Sequence, residues 1–296
     1  MSLHETTPEP TNPLGIAGVE FIEYSTTEPL ALGALLERFG FVLVARHRSR
    51  EVVLYRQGSM NVVVNADPSV AVTTSLDKRT VTLSAIAFRV RDAGLAYHYA
   101  VERGAWPIPT RASAMELNIP GVHGAGDSIV YFVDRYQDFS IYDVDFRPVP
   151  HADMQPPALA GLHFFGVVQA VMRGRSLEWA DFYAQLMGFT ELPNGTYFGV
   201  VPKGILLQSP CRTFYLQLIE PISDAEEMHW EEDLIRVGLG TPDVPAAVQA
   251  LQKRGVVFID RDPVQPTEKG ALTQLFKGGV SFELVRSTES HDKETR

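Results

Sequence analysis

Hydrophobic and polar positions along the chain repeat one pattern. Gly18-Val19-Glu20-Phe21-Ile22-Glu23-Tyr24 alternates in the manner of a strand, and Leu30 to Phe39 is apolar at helical spacing and closed by Gly40-Phe41. Three β-rich runs follow, Val42 to Arg46, Val52 to Arg56 and Asn61 to Asn65, separated by turn-forming residues. A second unit opens with a strand at Ser84 to Val90 and a helix over Ala93 to Arg103 that stops at Gly104. Strands are then predicted around Met115 to Ile119, Ile129 to Asp134 and Ser140 to Phe146. The second half repeats both units. Gly161 to Phe165 opens a strand, Leu177 to Met187 is a helix, and Gly188-Phe189 closes it as Gly40-Phe41 did. Strand Asp233 to Gly240, helix Pro245 to Arg254 and Gly255-Val256-Val257-Phe258 copy the second unit, and Val280 to Leu284 takes the place of Phe139 to Asp143.

A β-α-β-β-β unit cannot cover both faces of its own sheet, so units must pair. The pattern predicts an α+β protein in which four βαβββ units form two curved-sheet half-barrels with helices outside and a cavity within. The proline-rich stretch Pro148 to Pro157 lacks periodicity and divides the chain into domains over 14–150 and 158–288.

Composition narrows the partners. The 296 residues carry 26 Lys and Arg against 36 Asp and Glu, a net charge of -10, which argues against nucleic acid or an anionic membrane. A single cysteine, Cys211, rules out an internal disulfide and reads as an ordinary thiol. The first residues are polar with no apolar core of a signal peptide, and no apolar run reaches the length of a membrane span. A cytoplasmic protein is expected. The tail from Ser287 to Arg296 is polar and expected to be disordered.

Longer runs carry a resemblance. GVEFIEY (from Gly18), RHRSREVVLYRQGSMNVVVN (from Arg46), AFRVRD (from Ala87), MELNIPGVHGAG (from Met115), YFVDRY and SIYDVDF resemble the N-terminal domain of the 4-hydroxyphenylpyruvate dioxygenase family. RGRSLEWADFY (from Arg173), TPDVPAAVQALQKRG (from Thr241) and QLFKGGVSFELVRS (from Gln274) are similar to that family's catalytic domain. The resemblance implies two vicinal-oxygen-chelate domains and a non-haem iron oxidoreductase acting on an aromatic or 2-oxo acid. It also implies Fe(II) held by two histidines and a glutamate, a ligand set that suits ferrous iron and leaves one face open.

Carried over residue by residue, that ligand set is incomplete. Glu283, in Ser281-Phe282-Glu283-Leu284, matches the glutamate. Arg236 stands at the second histidine, and a guanidinium has no lone pair for a metal. It is expected to point inward with Glu283 and either to pair with it or to clamp an anionic ligand. Counting back without gaps from Arg173-Gly174-Arg175 puts Gly166 at the first histidine and turns His163 out of the cavity; an insertion in the strand-to-helix loop makes His163 the ligand instead. Both registers stay open. His229 is a substitute that its surroundings do not support.

Gln274 matches a family glutamine that contacts the oxo acid, and Gln217 is the polar candidate in the altered pocket-lining run Leu216 to Glu220. The stretch Asp260 to Ala271 is shorter than the family's, and the family's closing C-terminal helix is expected to be missing. The second half is therefore expected to hold the site and the first to be scaffold. Ala85 and Tyr142 are read as standing where Arg236 and Glu283 stand, and Glu20, placed opposite His163, as lacking partners. His47 among Arg46, Arg48 and Arg50 reads as a solvated face, and Gly121 to Gly126 as a turn between strands. Three functions remain: a ferrous dioxygenase using His163 or another donor with Glu283, a metal-independent enzyme in which Arg236 and Glu283 bind or polarise a substrate, and a catalytically silent ligand-binding or assembly protein that keeps the fold. A small carboxylate or 2-oxo acid held by Arg236, Gln274 and Gln217 is the expected ligand. Assembly as a homo-oligomer stays open.

Overall fold

The computed structural model describes residues 11–68, 80–109, 117–137, 139–200, 204–227, 230–261, 264–276 and 278–288. The first two units run β1 (Gly18–Thr26), α1 (Pro29–Arg38), β2 (Val42–His47), β3 (Val52–Gln57), β4 (Met60–Asn65), then β5 (Val81–Arg89), α2 (Ala93–Glu102), β6 (Gly121–His123), β7 (Ile129–Val133), α3 (Ile141–Asp145) and β8 (Phe146–Pro148). A 3-10 turn at Leu159–Gly161 leads into β9 (His163–Ala170), α4 (Ser176–Met187), β10 (Thr190–Glu191), β11 (Ile205–Gln208) and β12 (Tyr215–Ile219). The last unit is preceded by the short α5 (Asp224–Glu227) and comprises β13 (Asp233–Thr241), α6 (Val244–Gln252), β14 (Gly270–Leu272) and β15 (Phe282–Arg286).

One pairing rule holds in every unit. The first strand pairs parallel with a later strand of its unit, β1 with β4, β5 with β7, β9 with β12 and β13 with β15. The leading strands of each half then pair antiparallel, β1 with β5 and β9 with β13. Even the isolated bridges repeat, Pro107 with Val122 and Phe258 with Thr273. The helix boundaries follow local chemistry. Asp92 and Asp243 cap α2 and α6 by accepting from Leu95 N and Ala246 N at 2.8 and 2.9 Å. Gly40, Gly104, Gly188 and Gly255 follow the four main helices with φ between 75 and 95°, the left-handed turn in which a helix chain reverses most cheaply.

The halves are not separate sheets. All 15 strands belong to one open mixed sheet, joined by β13 on β5 at Leu234 and Leu83. Phe88 makes edge contacts with both Phe189 and Phe214, and Phe39 lies 4.4 Å from Phe282, so one apolar core runs across the boundary.

Two strand expectations fail. Leu117 to Ile119 is not strand, pairing starting only at Gly121, and Met115 lies outside the described residues. Ser140 instead caps the short helix α3 over Ile141–Asp145, with Phe146 opening β8, because Ser140 and Asp143 form a reciprocal capping box that satisfies the first turn. The repeat therefore aligns differently: β15 corresponds to β7, so the counterpart of Glu283 is Tyr131 rather than Tyr142. The register shows this directly, Gly238 facing Glu283 as Ala87 faces Tyr131. Gly121 to His123 is strand β6 followed by a turn closed by Gly124 N on Ser128 O, as expected of a connection between strands. Ser287 continues past β15 by donating to Thr241 O, while residues 289–296 lie outside the described set.

Candidate functional site

The inner face of the C-terminal half is organised in rungs. Gly166, Gly238 and Glu283 stand level on β9, β13 and β15, and Tyr215 on β12 continues the rung. Two residues back along β13, Arg236 is level with Val168 and, on the far side of it, Gln217. Arg236 and Glu283 therefore share a face, and their side chains meet, Nη1 lying 3.4 Å from Oε2. Both are largely withdrawn from solvent, with side chains 15 % and 6 % exposed.

The chain itself fills the space above this pair. Between β10 and β11 the segment around Phe198 folds into the half-barrel, and Val200 N donates to the other Glu283 oxygen at 2.9 Å. Gly199 has φ +67° and lies so close that a methyl group there would overlap the Glu283 carboxylate. Phe198 packs at 5.0 and 4.8 Å on Phe165 and Tyr215, which stack on each other at 4.7 Å. Both Glu283 oxygens are thus engaged, while the Arg236 Nε is buried without a hydrogen bond among the described residues.

His163 settles differently from either register read from sequence. A β-bulge at Phe165 adds one residue to β9, so His163 and Gly166, three apart, face the same side. The expectation that the gap-free count turns His163 outward is corrected by that extra residue. Its ring nevertheless lies against Gly240, one side-chain step beyond the Glu283 rung, with Nδ1 at 3.0 Å from Gly161 O and Nε2 at 3.2 Å from Ser287 Oγ. Gln274 is exposed, and its amide side chain bonds no described residue; only its backbone N is engaged, on Val257 O. His229 lies outside the described residues. Iron finds a poor fit here. No three His, Cys, Asp or Glu side chains converge among the described residues, Arg236 has no lone pair to offer, and the Glu283 carboxylate is committed to Arg236 and Val200 N.

The N-terminal half solves the same geometry with other residues. Bulges recur at matching places, at Glu20 in β1 and Ser84 in β5, as at Phe165 in β9 and Ile235 in β13. Glu20 thus corresponds to Phe165, and Gly18, not Glu20, to His163. Nor is Glu20 without partners: Arg89 Nε donates to its carboxylate at 2.6 Å and Asn61 Nδ2 lies 3.3 Å away. Burial pushes its pKa up and Arg89 opposes the shift. Burial and the facing Glu20 carboxylate push the Tyr142 phenol well above its usual range.

Where Arg236 and Gly238 stand in the second half, the first has Ala85 and Ala87, and a hollow of about 640 Å³ lies in front of this face. Phe21, Glu23 and Ser25 project into it from alternate positions of β1, Val63 and Asn65 from β4, and Tyr131 from β7. Asn65 Nδ2 donates to Glu23 at 3.0 Å, and the Ser25 hydroxyl donates to Ser84 Oγ at 2.9 Å. Burial raises the Glu23 pKa, against the hydrogen bonds from Asn65 and Ser84. Sequence reasoning missed this site, though one signal was present: an acid at the centre of the inward row Phe21, Glu23, Ser25.

Comparison with known proteins bears on both halves. Residues 10–147 match the family model described as hydroxyphenylpyruvate dioxygenase, N-terminal. The chain is 36% identical over 266 residues to hemolysin VllY of Vibrio vulnificus, covering 84% of this chain and 73% of that protein. It is 32% identical over 265 residues to the 4-hydroxyphenylpyruvate dioxygenase of Pseudomonas aeruginosa, covering 85% and 73%. Among solved structures, a fusion of a xylose isomerase-like TIM barrel with a 4-hydroxyphenylpyruvate dioxygenase superposes with a TM-score of 0.74 at 23% identity, over 98% of this chain and 52% of that one. With the paired vicinal-oxygen-chelate units seen in the fold, these matches place the chain in the 4-hydroxyphenylpyruvate dioxygenase family.

Proposed function

We propose that this chain is a small-molecule-binding member of the family that has left ferrous dioxygenation behind. The observation that carries the reading is the Arg236–Glu283 pair, 3.4 Å apart at the centre of the C-terminal half-barrel and covered by the segment through Phe198 to Val200. A carboxylate ligand to iron must be free of a fixed cation, and at least two more donors must converge on the same point. Here the neighbouring rung position is Gly166, and His163 has both ring nitrogens engaged elsewhere. A carboxylate receptor made of Arg236, Gln217 and Gln274 has little more support. Glu283 neutralises the cation, Gln274 is exposed, and Gln217 stands across Val168 from Arg236, about 10 Å away at ordinary strand spacing.

The test is direct. Protein purified without chelator is expected to hold far less than one iron per chain, and to consume no oxygen when supplied with Fe(II) and 4-hydroxyphenylpyruvate. Stoichiometric iron that survives dialysis, or oxygen uptake with that substrate, overturns the reading.

A further inference from the structure

The hollow in the N-terminal half has the features of a built site. Its volume of about 640 Å³ lies within the range of small-molecule pockets. The walls are aromatic and aliphatic, Phe21, Tyr131 and Phe146 with Val52, Val63 and Ile119. Among the carboxyl groups that line it, Glu23 sits at the centre of the β1 face, held by Asn65 and flanked by the Ser25–Ser84 hydroxyl pair. The second β-bulge turns Ser84 toward the hollow, and Ala85 stands where the other half has the long side chain of Arg236. Charge around the hollow is mixed, with Arg50 and Arg135 alongside Asp127, Asp134 and Asp145, of which Asp134 and Asp145 accept from the backbone N of Ala93 and Leu117, so neither sign of ion is favoured.

We propose that this hollow binds a neutral aromatic molecule of one or two rings whose hydroxyl group donates a hydrogen bond to Glu23. The rings lie against Phe21 and Tyr131, where flat apolar surface is withdrawn from water. A donor on the ring edge is selected because a carboxyl group enclosed among apolar walls gains most from a partner that brings its own proton. The inference rests on the small-molecule-binding reading of this chain but not on the fate of iron, which is measured separately.

The full chain is titrated with 2-naphthol and with naphthalene, followed by ligand-observed NMR and by the methyl signals of Val52 and Val63. One 2-naphthol per chain is expected, bound about tenfold more tightly than naphthalene, the size of one added hydrogen bond. Glu23→Leu is expected to erase that preference and Glu23→Gln, which keeps an acceptor oxygen, to retain most of it. Val63→Trp, which fills the hollow, abolishes binding of both probes. Equal affinity for the two probes overturns the proposal even if the Glu23 variants fail to fold. So do binding that Val63→Trp leaves intact and signals that move only around Arg236 and Glu283. Iron-free protein that binds neither probe would sink this inference while leaving the C-terminal reading in place.

Discussion

Glu283 and Glu23 occupy the inner faces of the two half-barrels, and their surroundings make opposite predictions. Glu283 is held by a cation and a backbone amide. Removing it leaves Arg236 buried with neither its partner nor a bond at Nε, so Glu283→Ala is expected to cost about 3–5 kcal/mol, read as a clear drop in Tm. A thermal shift near zero would mean that the pair contributes nothing. Glu23 is instead a carboxyl whose pKa is raised, chiefly by burial. The folded state then holds the proton more tightly than the unfolded chain does. The stability this gives is fully present below the ordinary carboxylate range and is lost as pH rises through the folded value. Glu23→Gln removes that dependence, so the variant should gain on the parent as pH rises from acid to neutral. Denaturant unfolding of both proteins across that interval checks it, and a difference that stays constant with pH contradicts it.

At the level of elements, the segment from Phe198 to Val200 decides what the C-terminal half can accept. It approaches Glu283 so closely that only glycine fits at position 199, where φ is also positive. Gly199→Ala therefore adds both backbone strain and an overlap with the carboxylate, and is expected to cost about 1–3 kcal/mol. Part of that cost depends on Glu283 being present. A double-mutant cycle with Glu283→Ala should show a coupling of about 0.5–3 kcal/mol, measured by chemical denaturation, whereas additive costs would place the two groups out of contact. The β-bulges act at the same scale. At Phe165 the extra residue lets an aromatic ring pack on Tyr215, and at Glu20 and Ser84 it aims polar groups where regular alternation would not.

For the whole molecule, the decisive feature is the continuity of the sheet and core. β13 on β5 joins the halves, and Phe88, 1% exposed, packs on two aromatic rings of the second half. Phe88→Ala should cost about 3–5 kcal/mol. Because the core is shared, it should lower the Tm of both halves together, leaving one calorimetric transition. Two separated transitions would show that each half carries its own stability. No helix of the described residues is long and apolar enough to cross a membrane.

Much of this was readable before the fold was known. Periodicity of 2 and 3.6 located β1 to β5, α1, α2, α4 and α6, and the glycines after the helices marked their ends, because these signals are local. The resemblance brought Arg236 and Glu283 to one face, and the structure joins them. The capping box at Ser140 is also local, but Phe139 to Phe146 alternates well enough to pass for a strand. What the chain alone could not decide depended on register and on distant segments. Three bulges, each a single residue, set the facing of His163 and the aim of Glu20 and Ser84, and no pattern in one strand reports where its partner will slip. Phe198 to Val200 reaches Glu283 across more than eighty positions of sequence, so the closing of one half-barrel is a long-range contact. The hollow around Glu23 lies on the face where Ala85 stands in place of the other half's Arg236. Whether a short side chain leaves space is decided only by packing in three dimensions.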